Sequence, residues 1–376
     1  MLPLNYLLQT GSLTRKKMAT TEYFTVTPST SMTTDSEFYE NGSYYNEYYD
    51  SDSEMCYRTS IVQAGAIFTP VFFSIVVILS LFGNILVIVI LAMYENLRSL
   101  TNTFILNLAI SDLFFTAGLP FWAYYHVYGW TLGEHACKIV SFVFYTGFYS
   151  SGILLILMTA HRYVAVMNPL SNIVSTKGFY SVLASLIIWA VSALAASPAF
   201  AFTHVTNNYC VFKDSYWKLW GIYQQNILFI LSSVVFIFCY SQIMCRLLRP
   251  TARRRKNKTL KLIFTLMIVF FMGWGPYNIV IFLQSLYDWR QQYADSNAAA
   301  GSCEMLKQLD YAFYISRLFA FSHCCLNPVF YVFVGVKFKN HLKKMLKSWS
   351  PNNNSIRSRQ NRLTILSITS GEELSM

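Results

Sequence analysis

Charge is scarce in this chain. Only 12% of its 376 residues are Asp, Glu, Lys or Arg, where soluble domains carry about 25%. Hydrophobic residues make up 54% and aromatic residues 17%. One soluble core cannot hide that much apolar surface, so an ordinary soluble protein is excluded. Catalytic motifs are missing as well. There is no phosphate-binding loop, no zinc-binding helix motif and no nucleophile elbow, so no enzyme is expected. There is no internal repeat of the kind many transporters carry. No apolar stretch of adequate length precedes the N-terminal tail, so no cleavable signal peptide is expected and the first apolar helix serves that purpose.

What is present is a series of long apolar runs. Seven of them reach the ~20 residues that a spanning helix needs. They cover roughly 62–93, 103–128, 139–160, 179–203, 219–245, 262–287 and 311–336. Five contain no Asp, Glu, Lys or Arg, the second contains only Asp112, and the seventh only Arg317. Buried helices of soluble proteins run to ~8–20 residues and are amphipathic, whereas these are longer and apolar on all sides. The expected fold is an all-α membrane protein, a seven-helix bundle over residues 61–336.

Basic residues set the orientation, because cytoplasmic loops collect Lys and Arg. Eight basic and no acidic residues lie between Arg246 and Lys261, and five lysines and no acid lie from Lys337 to Lys347. Both segments are expected inside the cell, which leaves the N-terminus outside and the C-terminus inside. Residues 1–60 then form an extracellular tail. From Met18 to Glu54 it carries eight acids and no Lys or Arg. Arg15, Lys16 and Lys17 disagree with that pattern, and the expectation is that Met18 starts the protein. Asn41-Gly42-Ser43 is a glycosylation acceptor. Tyr39, Tyr44, Tyr45, Tyr48 and Tyr49 stand among the acids and are candidates for sulfation. The same composition describes a solvated, disordered tail, and either state suits a basic protein ligand.

Eight cysteines fall into two groups. Cys56, Cys137, Cys210 and Cys303 lie at outer ends of the runs, where oxidation is expected. Four cysteines allow three pairings. In one of them Cys137–Cys210 ties the loop before the fifth run to the third, and Cys56–Cys303 closes the bundle into a ring. Cys239, Cys245, Cys324 and Cys325 are expected as packing residues.

Polar residues inside spanning helices are expensive and point to function. They come here in a fixed order. Asn84 sits in GNILV, Asp112 in LNLAISDL, Arg162 in HRY and Trp189 in the fourth run. Trp274 and Pro276 form WGP, and Asn327, Pro328 and Tyr331 form NPVFY. This order resembles that of rhodopsin-like G-protein-coupled receptors, over about residues 60–348. LPFWAYY (119–125), GWTLGEHACK (129–138), SHCCLNPVFYVFVGVKF (322–338), the Cys56/Cys303 pair and the tyrosine-rich tail resemble the chemokine receptors. FILNL, HRY, WGPYN, SRLFAFSHCC and VKFKNHLKK resemble the XC-type branch of that family.

The resemblance implies a plasma-membrane receptor that binds a secreted chemokine, signals through inhibitory-class G protein and directs chemotaxis. Its tail captures the ligand, whose N-terminus enters a pocket lined by Trp122, Phe144, Tyr145, Tyr277 and Arg317. It implies that Trp274, Pro276 and the Asn327-Pro328-Tyr331 segment relay the change, with Tyr240 in the fifth run. His161, Arg162 and Tyr163 meet the G protein. Asp112, Ser151 and Asn327 match the family's sodium pocket; a buried carboxylate needs a countercharge or a proton, so it holds either sodium or a protonated Asp112. No other cofactor and no nucleic-acid partner is expected.

The chain departs from the family at several positions. His161 stands where an acid usually pairs with the Arg. A neutral imidazole can accept one hydrogen bond from Arg162 but supplies no countercharge. A scavenging receptor without G-protein coupling is the alternative reading, and a receptor for a non-chemokine peptide is a second. Arg317 replaces a family Glu. It would favour an acidic, carbonyl or hydroxyl group of the ligand, unless Asp310 or Glu304 neutralises it. Gly118, Ser232 and Gly273 replace Thr, Pro and Cys, so the fifth helix is expected to lack its bulge. Residues 337–349 read as a cytoplasmic amphipathic helix lying on lipid, with Phe338, Leu342, Met345, Leu346 and Trp349 at helical spacing. Residues 350–376 carry Ser and Thr for phosphorylation and arrestin recruitment.

Overall fold

The computed structural model describes residues 59–97, 99–168, 178–247, 257–293, 299–334 and 336–349. Helices dominate. They are α1 (Thr59–Tyr94), α2 (Leu100–Tyr128), α3 (Gly133–Met167), α4 (Gly178–Ala201), α5 (Ser215–Leu247), α6 (Asn257–Tyr293), α7 (Ala299–Phe321), α8 (His323–Val334) and α9 (Val336–Trp349). A two-stranded hairpin, β1 (Thr203–Thr206) and β2 (Tyr209–Phe212), sits between α4 and α5. The tail tyrosines, Asn41, Cys56 and the basic segment 248–256 lie outside the described residues, as do the side chains of Cys303 and Tyr331.

Helix is the only open-ended structure that satisfies every backbone group without water, which is why each apolar run takes it. α1 to α6 are long and apolar enough to cross a membrane. Several extend beyond the predicted runs: 139–160 is the middle of α3, and 262–287 the middle of α6. Hydropathy marks only the apolar length, while the helix continues through polar turns at both ends. α5 runs unbroken through Ser232, as expected without the family proline.

The third helix is the hub. It packs against α2, α4, α5 and the hairpin. Its apolar window is 67% buried, against 22% for those of α4 and α5. Those two helices turn Phe179, Leu186, Leu194, Ile227, Ile230 and Val234 outward. An apolar exterior of that extent is the mark of a surface that meets lipid.

Gly147 lets α2 and α3 touch backbone to backbone. A Cβ there would lie 2.7 Å from the Ser111 carbonyl oxygen and 3.0 Å from the Phe114 carbonyl carbon, and would overlap the Phe115 nitrogen. Gly83 of α1 instead makes room for a side chain of α8, with the Pro328 ring 2.8 Å from the site of its missing Cβ.

The seventh apolar run is two helices. It breaks at Ser322. Pro328 has no N–H, so it cannot bond the carbonyl four residues earlier. That carbonyl belongs to Cys324, and α1 takes it up: Asn84 Nδ2 donates at 2.9 Å and Ser80 Oγ at 3.3 Å. α8 packs against α1, α6 and α2.

The hairpin turns at Asn207 and Asn208, both at positive φ (49° and 61°). Two-residue hairpin turns of this hand favour Asn because its side chain tolerates that region. Cys210 on β2 is bonded to Cys137 on α3, with a Cα–Cα distance of 5.7 Å. The Trp130 N–H donates to the Asn208 carbonyl at 2.7 Å, so the α2–α3 loop is tied to the hairpin too.

Candidate functional site

Below the hairpin lies a cluster of packed aromatic rings. α2 places Trp122 and α3 places Phe144, with ring centroids 6.1 Å apart. Tyr145 stands edge-on to Phe144 at 5.6 Å. α6 brings Tyr277 to 5.9 Å from Phe313 of α7. All four predicted aromatics are buried, and the fold brings them to one end of the bundle.

Arg317 is buried there, with 4% of its surface exposed. Its guanidinium carbon lies 5.4 Å over the Phe313 ring, and its Nη2 is 2.8 Å from His126 Nε2. No carboxylate among the described residues pairs with Arg317, and the side chain of Glu304 is outside them. His126 was not expected in this role. It is a polar residue inside an apolar run, which is the signal that could have found it.

Deeper in, Trp274 is packed by Phe148 at 4.8 Å and by His323 at 4.9 Å. Asp112 is fully buried beside them. Ser151 Oγ donates to its Oδ1 at 3.1 Å and Asn327 Nδ2 to its Oδ2 at 2.8 Å. His323 Nε2 lies 3.8 Å from Oδ1, while its Nδ1 bonds the Ala320 carbonyl at 2.8 Å. The three residues expected as a sodium pocket are therefore together. Their roles differ from that expectation in one respect. A carboxylate only accepts, so Asn327 turns its amide nitrogen toward Asp112 and offers no oxygen there. A small hard cation would find its oxygens on Asp112 and Ser151.

Trp189, an isolated aromatic in the sequence, donates to Asn107 Oδ1 at 2.9 Å, and Asn107 Nδ2 bonds Ser185 at 2.9 Å. This joins α2 to α4. Asn107 escaped notice because it lies in FILNL, quoted for its likeness alone. Cys239, Cys324 and Cys325 are buried as expected, but Cys245 is exposed. It stands in the last turns of α5, on the face turned away from the contacts that Ile243 and Arg246 make with α3.

The 7 transmembrane receptor (rhodopsin family) pattern matches residues 83–331. The chain is 42% identical to chemokine XC receptor 1 of Homo sapiens over 302 residues, 80% of this chain and 88% of that receptor. It is 40% identical to chemokine XC receptor 1 of Mus musculus over 312 residues, 82% of this chain and 91% of that one. It is 37% identical to C-C chemokine receptor type 3 of Cavia porcellus over 311 residues, 80% and 84% of the two chains. The chain belongs to the chemokine receptors of the rhodopsin family.

At the opposite end of the receptor from the hairpin, His161 and Arg162 are half-buried on the last turns of α3. His161 stands edge-on to Phe104 of α2, 6.4 Å between centroids. Tyr163 packs 5.8 Å from Phe238 and against the buried pair Val166 and Ile243. Arg246 of α5 donates to the Met167 carbonyl and so holds the end of α3. Tyr240 is half-buried one turn and a half above Arg246 on α5. The receptor's α9 folds back on α1. His341 stacks on Tyr94 at 5.3 Å and bonds Glu95 at 3.1 Å, and Phe338 packs against the cluster of Val87, Leu91 and Ala109. Met345 is buried while Leu346 is exposed, so the apolar face of α9 is shared between the bundle and its surroundings.

Proposed function

We propose that this chain is a plasma-membrane receptor for a secreted XC-type chemokine, with its N-terminus outside the cell and its output through inhibitory-class G protein. The observation that carries the reading is the cluster of buried aromatic rings beneath the disulfide-bonded hairpin, with one buried cation beside it. Identity to two XC receptors, at 42% and 40%, exceeds that to the C-C receptors type 3 and type 4, at 37% and 36%, and supports the ligand class.

In this reading the acidic tail, with sulfated Tyr44, Tyr45, Tyr48 and Tyr49 and a glycan on Asn41, gathers a basic ligand by electrostatic steering. Cys56 and Cys303 bond and fix the tail's root near the seventh segment. The ligand's N-terminal segment enters between Trp122, Phe144, Tyr145 and Tyr277 and meets Arg317. Pressure on the rings around Trp274 reaches Asp112 and Asn327 through His323. Asp112 and Ser151 hold a sodium ion in the resting state. Movement of α6 at Pro276 and of the Pro328–Tyr331 segment opens the far end, where Arg162, Tyr163 and Tyr240 engage the G protein. α9 lies on anionic lipid, and the phosphorylated C-terminal tail recruits arrestin. The chain performs no catalysis.

The test is a binding panel of secreted chemokines on cells expressing the chain, followed by nucleotide exchange on inhibitory-class G protein in their membranes. An XC chemokine is expected to bind and to stimulate exchange. Binding without exchange would make the receptor a scavenger and His161 the reason. No chemokine binding at all would defeat the reading.

A further inference from the structure

Two buried N–H donors beside this aromatic cluster have no acceptor: Nε of Arg317 and Nε1 of Trp122. Both residues are at most 5% exposed. Guanidinium cannot accept a hydrogen bond, so His126 must accept from Arg317 through a bare Nε2. Its proton is then on Nδ1 and the ring is neutral. The nearest partner of this buried cation therefore carries no charge, and the Phe313 face supplies only a quadrupole. Trp122 and His126 are four residues apart on α2, on one helix face, so the unpaired indole N–H and the residue that aims Arg317 share that face. A buried charge is costly unless it is paired and hydrogen-bonded. Among the described residues the cation lacks a countercharge and the two free donors lack an acceptor, and an anion supplies both.

We propose that Arg317, aimed by His126 and assisted by the Trp122 N–H, is a monovalent-anion site. In the unliganded receptor it holds a chloride-sized inorganic anion. On binding, a carboxylate from the ligand's inserted segment displaces that anion. His126 is a positioning residue here: its bond fixes the guanidinium so that Nε remains for the incoming anion. The ligand half rests on the function proposed above, whereas the chloride half does not.

The experiment uses purified full-length receptor at fixed sodium and fixed ionic strength, with gluconate replaced stepwise by chloride. The thermal midpoint of the parent is expected to rise and saturate. Arg317→Gln is expected to show no such rise. His126→Gln keeps an acceptor and should retain the response, while His126→Leu should weaken chloride affinity by about tenfold, the equivalent of one charge-assisted hydrogen bond. A parent that does not distinguish chloride from gluconate, or an Arg317→Gln that responds equally, overturns the site. If Arg317→Gln does not fold, bromide in crystals of the parent decides: an anomalous peak at Arg317 supports the site and its absence overturns it. For the ligand half, the chemokine identified by the binding panel is compared with a form whose N-terminal Asp and Glu are changed to Asn and Gln. The change should weaken binding to the parent by at least about tenfold and leave binding to Arg317→Gln unaltered, and chloride should compete with the unmodified chemokine. Chloride stabilisation without competition would reject the displacement while leaving the inorganic site intact.

Discussion

Gly147→Ala adds one methyl group where α2 and α3 meet backbone to backbone. Ordinary contact for that carbon begins at 3.4 Å, the Ser111 carbonyl oxygen lies at 2.7 Å and the Phe115 nitrogen closer still, so the two rods must part by more than ~0.7 Å. No rotamer can relieve the clash, because every close atom belongs to the α2 main chain. Overpacking a core typically costs about 1–3 kcal/mol, and a clash with main chain belongs at the top of that range. At roughly 2–4 °C per kcal/mol, the thermal midpoint should drop by about 6–12 °C. The displaced segment of α2 carries Asp112 and Phe115, so sodium response and ligand affinity should fall with it. Gly152→Ala is the matched control on the same helix. Its Cβ would meet only the Leu228 side chain, at 2.9 Å, which can rotate away, and its cost should stay under about 1 kcal/mol. The assay is thermal unfolding of purified receptor in one detergent. If the two variants unfold within a degree of one another, close approach at Gly147 does not set the α2–α3 spacing.

Cys137→Ser and Cys210→Ser should lower surface expression to the same level, and the double variant should be no worse than either, since they remove one bond; additive losses would contradict the pairing. Sodium gluconate should raise the thermal midpoint of the parent over N-methylglucamine gluconate, and Asp112→Asn should abolish that difference, because it keeps the side-chain shape and removes the charge; an equal response in both would place sodium elsewhere. His161→Asp puts a carboxylate beside Arg162 at a half-buried position and should favour the inactive arrangement by about 1 kcal/mol, so basal nucleotide exchange should fall and agonist potency drop by about fivefold. A rise in basal exchange would reverse the sign of that argument.

The seven apolar runs were legible because lipid demands long uncharged helices, and Asp112 was legible because a charge inside such a run is rare, whereas Ser151 and Asn327 were joined to it only by the family resemblance. Polar pairs made across helices were not. His126 and Arg317 are 191 residues apart, and nothing in either run says that one faces the other. His323 was read as part of a pattern, while its position 3.8 Å from Asp112 depends on the break at Ser322. The hairpin was missed for a different reason. Its strands are four residues each, too short for a period, and the Asn207-Asn208 pair was its only local mark. Gly147 looks like any glycine in an apolar run until a facing main chain is placed against it.

The carbonyl of Cys324 is held by α1 rather than by its own helix. One crossing of the bundle is thereby shared between two mechanical bodies. α7, with Arg317, packs mainly on α6, while α8, with Asn327 and Pro328, also packs on α6 but is tied to α1 by Asn84, Ser80 and the Gly83–Pro328 contact. Ser322 between them is a joint. Along the chain, a tilt of α7 would reach α8 as torsion at that joint. The joint thus works as a clutch: it separates receiving a ligand from turning NPVFY. Replacing Asn84 or Ser80 with an apolar residue would free the driven half from its mounting without touching the ligand's side of the molecule.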